Sequence, residues 1–544
     1  MKRLQEMIEM KLTEIVKPEN RAQWEAKGYE LPKYDREAMI AKTKENPTWI
    51  HFGAGNIFRA FPAAFLDRML NAGETDRGVI VCEGFDYEII DKAYRPYDNL
   101  SLLAVLKADG TVAKKVIGSV AESLKGDTAS ADFDRLRDIF RKESLQMVTF
   151  TITEKGYSLT GPDGNLSPVA KEDLTNRGLN PVLIMGKVTA LLYERFLAGA
   201  YPVAMSSMDN CSHNGDKLKA AVMTYAKTWE EKGIVKKGFV DYLSNPACVT
   251  FPWSMIDKIT PRPDDTVRSM LTEDGFSDTD LIVTSRNTYT APFVNAEETE
   301  YLAVEDTFPN GRPAFEKAGV LYADRETVDK VEKMKVCTCL NPLHTALAIY
   351  GCMLGYTKIS EEMKDTELVN LITKMGYNEA MPVVVDPGII QPKQFISDVL
   401  TKRLPNPFMP DAPQRIATDT SQKLPIRFGE TLKAYKRDGL NLSSLTLIPL
   451  VLAGYARYLS GLNDNGEAFE QSPDPMLAEL KKAVAGYTLG GNNDYSTLKA
   501  LYSRKDVFAV DLYEIGLGEK VEGLVKELYA GKGAVRATLK KYCD

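Results

Sequence analysis

The 544-residue sequence predicts an α/β domain built on a parallel sheet, followed by a mainly α-helical domain, and three observations carry this. A glycine pair, Gly53 and Gly55, falls between an apolar strand and an amphipathic helix. Apolar, β-branched runs then alternate with helical patterns through the first half of the chain. From about residue 310 helical periodicity takes over and continues to the C-terminus. The chain is too long for one compact core, so we divide it into residues 1–310 and 311–544.

The elements follow in order. MKRLQEMIEMKLTEIVKPEN interleaves charges with apolar residues at helical spacing, which predicts a charged N-terminal helix rather than a signal peptide or anchor. PTWIHFGAGNIFRAFPAAFLDRMLNAG reads as a strand, a glycine turn and a helix ending near Gly73, and GVIVCEGFD as a second strand. Further strands of the sheet are expected at SLLAVL (101–106), VTFTIT (148–153) and YPVAMSS (201–207). Residues 158–182, rich in Gly, Pro, Asn and Asp, predict a surface insertion, and RLPNPFMPDAPQ (403–414) a loop. LTLIPLVLAGYA (445–456) is too short to span a bilayer and predicts a buried helix, so no membrane is expected as a partner.

Composition narrows the function classes. A net charge of -7 offers no basic field for a polyanion, which argues against nucleic acid. Seven cysteines, an odd number without framework spacing, suit reduced thiols and a cytoplasmic setting. Only three histidines occur, at 51, 213 and 344, so a site built from several imidazoles is not expected.

In HFGAGNIFR, a dinucleotide would lie against Phe52, Gly53, Gly55, Asn56 and Ile57, where close backbone approach and helix N-terminal amides suit a pyrophosphate. The third glycine of the usual fingerprint is absent, and a plain tight turn stands as the alternative. Glu83 ends the second strand, where an acidic side chain accepts from the adenosine ribose and repels a 2′-phosphate. NAD is therefore expected over NADP. Asp86 competes for that role, and either carboxylate could simply face solvent.

Six segments, HFGAGNIFRAF, TITEKGY (151–157), SMDNCSHNG (207–215), FPWSMIDKITP (251–261), KVCTCLNPLH (335–344) and RIATDTSQKLPIR (415–427), occur in the order found in one family. The chain resembles the polyol-specific long-chain dehydrogenases, which act on mannitol, fructuronate and tagaturonate. The resemblance implies a Rossmann-type first domain, a helical second domain, an active site in the cleft between them, and metal-free hydride transfer. It identifies Lys335 as the general acid/base, a task a desolvated lysine can perform. Asn341 and Asn210 would donate to the reacting oxygen. His344 would bond the reacting or neighbouring hydroxyl, and Arg415 and Lys423 would hold the rest of the substrate. Glu332 would relay protons and Asp257 would tune the lysine. The expected partner is a small sugar acid or polyol, D-fructuronate with its product D-mannonate first, handled by a monomer or small homo-oligomer.

One departure stands out. The family places four residues between lysine and asparagine, whereas VCTCL supplies five. At about 100° per residue the extra position turns Lys335 to the helix face opposite His344. Lys333 would face correctly but lies about three turns away. A π-bulge or irregular helix start between Lys335 and Asn341 is therefore expected. Two other readings compete with this one: a regulator that kept the fold without the chemistry, and a zinc enzyme using Cys337, Cys339 and His344, for which the spacing suits tetrahedral ligation poorly.

Overall fold

The computed structural model describes residues 9–15 and 17–544. It divides into two units, one comprising Met1–Lys107 and Thr111–Asp329, the other Ala108–Gly110 and Lys330–Asp544. The division at Asp329 lies beyond the boundary expected at 310. The reason is local: Leu321–Ala323 pairs in parallel with Tyr301–Glu305 and so belongs to the first unit.

The first unit is organised around six strands: β1 (Trp49–Phe52), β2 (Val79–Glu83), β3 (Val120–Lys125), β4 (Met147–Phe150), β5 (Val203–Ser207) and β6 (Val249–Thr250). All neighbours are parallel, and the spatial order is 3-2-1-4-5-6. That order belongs to the dinucleotide-binding doubly wound sheet. Every residue of β1 and β2 is buried, as expected of strands covered on both faces. Alternate side chains serve opposite layers. Ile50, Phe52, Ile80 and Cys82 join one apolar cluster, while Trp49, Val79 and Val81 join another. The crossover helices α1 (Pro62–Asn71), α2 (Ala131–Arg141), α3 (Ile184–Gly199) and α4 (Asn214–Glu231) contribute to these layers.

Three expectations are corrected here. SLLAVL forms a strand, but in a separate four-stranded sheet, paired antiparallel to Val112–Ile117 and parallel to Phe293–Glu297. The third strand of the main sheet is instead VAESLK. VTFTIT stops being a strand at Phe150, because Thr153 takes a left-handed φ of 64° and opens the short helix Thr153–Tyr157. The expected N-terminal helix lies partly outside the described residues; within them, Leu12–Glu14 is a 3-10 turn and an α-helix begins only at Pro18. The 158–182 insertion is largely exposed, yet buried Asp173 anchors it by accepting from the N–H groups of Val182 and Leu183.

The second unit is mainly helical. Helix α5 (Arg325–Met334) runs into a π-turn, Lys335–Cys339, which leads to α6 (Asn341–Leu354). The stretch Arg325–Leu354 has the length and composition of a membrane span, but 78% of its most apolar window is buried inside the protein. Helix α7 (Leu447–Tyr458) is buried throughout, as its sequence predicts, and Tyr350 of α6 donates to the Leu450 carbonyl at 2.8 Å. No side chain of its own caps α7. Glu379 does so, accepting from the N–H groups of Thr446, Leu447 and Ile448 at 2.7–2.8 Å. Three further π-turns occur in this unit among the described residues, at Met375–Ala380, Val399–Arg403 and Pro425–Gly429.

Candidate active site

In the first unit the glycine loop follows β1. Gly53 has φ 108°, and a Cβ there would lie 2.1 Å from the Thr151 carbonyl oxygen, so only glycine fits. At Gly55 the space is open. The N–H groups of Gly55, Asn56 and Ile57, entering the turn Asn56–Ala60, have no acceptor among the described residues. An open backbone cradle with unused donors suits a pyrophosphate. Phe52 turns its ring into the core against Phe150, leaving only its backbone to the loop.

Glu83 is placed differently from a solvent-facing ribose acceptor. One carboxylate oxygen accepts from Ala54 N at 2.9 Å, the other from Phe85 N at 3.0 Å and Asp86 N at 3.2 Å. Glu83 thus braces the glycine loop against the end of β2, and its burial raises its pKa. Asp86, also buried, accepts from Thr284 Oγ1 at 2.6 Å. A hairpin, Ile282–Val283 with Tyr289–Thr290, is latched to the loop through Arg59, which reaches Asn56, Thr290 and the Ala291 carbonyl. Sequence reading missed this hairpin, because its contact with the loop is more than two hundred residues distant along the chain.

Three of the sequence motifs are stitched together in this unit. Asp209 accepts from Ile152 N, Thr153 N and Tyr157 Oη at 3.0, 2.8 and 2.6 Å. Asn214 donates to the Ser254 carbonyl at 3.0 Å and accepts from Ser254 N at 3.0 Å. TITEKGY, SMDNCSHNG and FPWSM therefore form one polar knot, with Asn210 exposed on its loop and Asp257 buried at the end of Ser254–Asp257.

In the second unit the expected irregularity is present. Leu340 N donates to the Lys335 carbonyl at 3.1 Å, an i→i+5 bond that takes up the extra residue. Lys335 is 5% exposed whereas Lys333 faces solvent. Glu332 is half-buried one turn earlier. Cys339 is a core residue, its thiol pushed up to about 12 by burial, and the Cys337 carbonyl accepts from Thr431 Oγ1.

Pro342 starts α6 just after Asn341, a position where proline loses no helix hydrogen bond. His344 stands one turn further on. Its Nε2 lies 3.6 Å from Asp411 Oδ2 but has no hydrogen-bond partner among the described residues. Burial pushes the imidazole down to about 4, opposed by Asp411 and aided by Arg427, Arg415 and Arg403. Arg415 pairs with Asp411, and Lys423 donates to the carbonyls of Ile416 and Thr418. Arg403 and Arg427, which sequence reading did not single out, each belong to a π-turn.

A depressed histidine pKa has a definite consequence for stability. Between pH 6.5 and about 4 the unfolded chain binds the proton that folded His344 refuses, so stability is present above pH 6.5 and lost as pH falls. By pH 5 the loss amounts to about 2 kcal/mol. Comparing Tm at pH 7.5 and pH 5 for the wild type and His344→Gln checks this; the variant should lose less on acidification, and parallel falls would refute it.

A 3-2-1-4-5-6 sheet with a glycine cradle, together with a helical unit presenting lysine, asparagine and histidine beside several cations, defines a two-unit Rossmann-type oxidoreductase. Residues 47–317 match the mannitol dehydrogenase Rossmann domain and residues 327–529 the mannitol dehydrogenase C-terminal domain. The chain belongs to the mannitol dehydrogenase family. A D-mannonate oxidoreductase of Thermotoga maritima is 51% identical over 528 residues, covering 96% of this chain and 97% of the relative. Among solved structures, substrate-free D-sorbitol dehydrogenase aligns with a TM-score of 0.77 at 25% identity, covering 94% of this chain and 97% of that one. The ternary complex of Pseudomonas fluorescens mannitol 2-dehydrogenase with NAD and D-mannitol aligns with a TM-score of 0.65 at 25% identity, covering 94% and 96%.

Proposed function

We propose that the protein is an NAD-dependent oxidoreductase interconverting D-fructuronate and D-mannonate. The observation that carries this reading is the 51% identity, over nearly the whole of both chains, to a D-mannonate oxidoreductase. The cationic surroundings of His344 support it, because they suit an anionic substrate better than a neutral polyol.

The nicotinamide, when bound, supplies or accepts hydride at its C4. Lys335 gives its proton to the substrate oxygen as the carbonyl is reduced and takes it back in the reverse direction. Asn341 and Asn210 direct amide N–H groups at that oxygen, where negative charge develops. His344 Nε2 bonds the reacting or adjacent hydroxyl. Glu332 passes protons between solvent and Lys335, and Asp257 tunes the lysine through its charge. Arg415 and Lys423 hold the remaining hydroxyls. Backbone N–H groups of the glycine loop bind the pyrophosphate.

Initial rates with fructuronate, tagaturonate and fructose, each with NADH, test the substrate; a preference for fructose would move the reading to mannitol 2-dehydrogenase. NADH is expected to outperform NADPH in kcat/KM, because Glu83 and Asp86 put two carboxylates at the end of β2. Arg286 favours a second reading: its guanidinium lies 4.1 Å from the exposed ring of Phe85 and could receive a 2′-phosphate. Equal or better use of NADPH would establish that reading instead.

A further inference from the structure

Four cations belong to the second unit's site, and their surroundings differ. Arg415 is paired with Asp411, and its side chain is 61% exposed. Lys423 spends its ammonium on two backbone carbonyls. Arg403 is buried. Arg427 donates through Nη1 to Thr345 Oγ1, and among the described residues no carboxylate forms an ion pair with it. Burial pushes this guanidinium down to about 10. A half-buried cation is ordinarily matched by an anion, and among the described residues none pairs with Arg427.

The position of Arg427 is fixed by the helix that carries the chemistry. Thr345 Oγ1, which receives the Arg427 bond, itself donates to the Asn341 carbonyl at 3.0 Å. Asn341, His344 and Thr345 lie at i, i+3 and i+4, on one face of α6. Arg427 is carried by the π-turn Pro425–Gly429, which packs against the π-turn holding Lys335. A guanidinium has five N–H donors in a planar fork, and the bond to Thr345 leaves the others available.

We propose that Arg427 is the specificity-determining residue that receives the carboxylate of the sugar acid, while Arg415, already neutralised by Asp411, serves the hydroxylated chain. The assignment rests on the hexuronate reading above and adds the group that distinguishes a uronate from a ketose. It places charge recognition one helix turn from the reacting carbon's hydrogen-bond partners, so that binding the acid end also sets the distance to Lys335.

The test uses Arg427→Gln and Arg427→Lys in the full-length protein, with D-mannonate and D-mannitol as binding probes and fructuronate and fructose as substrates. A charge-assisted hydrogen bond corresponds to about ten- to a hundredfold in affinity. Arg427→Gln should weaken D-mannonate binding and raise KM for fructuronate by that factor, with kcat changed far less. D-mannitol binding and any fructose reduction should suffer much less. Arg427→Lys should restore part of the loss, and it keeps a donor for Thr345 should the glutamine variant fold poorly. Equal weakening of mannonate and mannitol, or no weakening of either, would overturn the assignment while fructuronate turnover by the wild type still upheld the function. A wild type that reduces no hexuronate would overturn both.

Discussion

Lys335→Ala is expected to lower kcat for ketose or uronate reduction on the order of a hundredfold or more, with NADH affinity nearly unchanged. The size follows from removing the only group assigned to deliver the proton. The position follows from the helix: two lysines precede the asparagine, and register alone decides between them. In an unbroken α-helix the nine residues from Lys335 to His344 would turn about 180°, putting the two on opposite faces. The i→i+5 bond from Leu340 to Lys335 absorbs one residue, so the turn becomes that of eight, about 80°. Lys335 thereby comes round toward the asparagine and histidine, and it is 5% exposed. Lys333 points to solvent, and its alanine variant should retain nearly full activity. Steady-state rates for the two variants check this, and exchanged behaviour would mean the register is wrong by two residues.

How far the fold could be read from residues alone depended on whether a signal was local. WIHF and GVIVCE are nearly continuous apolar runs, which mark them as strands buried on both faces. VAESLK has a glutamate and a serine in the middle, so β3 carries no such signal, although it completes the sheet. SLLAVL shows the converse: it is as apolar as β2, but an apolar run does not say which sheet will receive it. The insertion was recognisable from its turn residues, whereas its anchor at Asp173 required knowing where Val182 would fold back.

The site divides in the same way. Gly53, Gly55, Asn341 and His344 could be named as candidates because turn chemistry and motif order are contained in short segments. The π-turn was legible only as a conflict, one residue too many for the helix, and its resolution needed the extra residue to be taken as real. The position of Glu83 at the end of a strand suggests a ribose acceptor but does not show that its two oxygens brace the loop through three N–H groups, a role that depends on backbone geometry. Glu379 and Arg427 were not found at all. Each acts on a helix far away in sequence, one capping α7 and the other bonded to Thr345 on α6; Glu379 lies in no motif, and Arg427 closes RIATDTSQKLPIR without a neighbour in that segment to mark its bond to Thr345. Both are carried on π-turns, as are Lys335 and Arg403.

Gly53→Ala is expected to damage both stability and cofactor binding, and Gly55→Ala cofactor binding alone. At Gly53 the added methyl would fall 2.1 Å from the Thr151 carbonyl oxygen, and that carbonyl belongs to backbone. Thr151 has little room to withdraw: its N–H donates to the Phe52 carbonyl at 2.9 Å, and its Oγ1 meets His51 Nε2 at 2.8 Å. The φ of 108° adds strain on the order of 1–3 kcal/mol for any side-chain-bearing residue. The loop must therefore move, and with it the N–H of Gly53, which donates to the Cys82 carbonyl at 2.8 Å and ties the loop to β2. A lowered Tm and at least about a tenfold weaker NADH affinity should result. Gly55 has an ordinary φ of -75° and open space around its missing Cβ, so alanine should fold normally there. What alanine would disturb is the close approach of a pyrophosphate to the backbone. Thermal melts and fluorescence titrations with NADH on both variants separate the two effects. If Gly55→Ala bound NADH as the wild type does, the pyrophosphate would not lie against this loop, and the glycine pair would be only a tight turn.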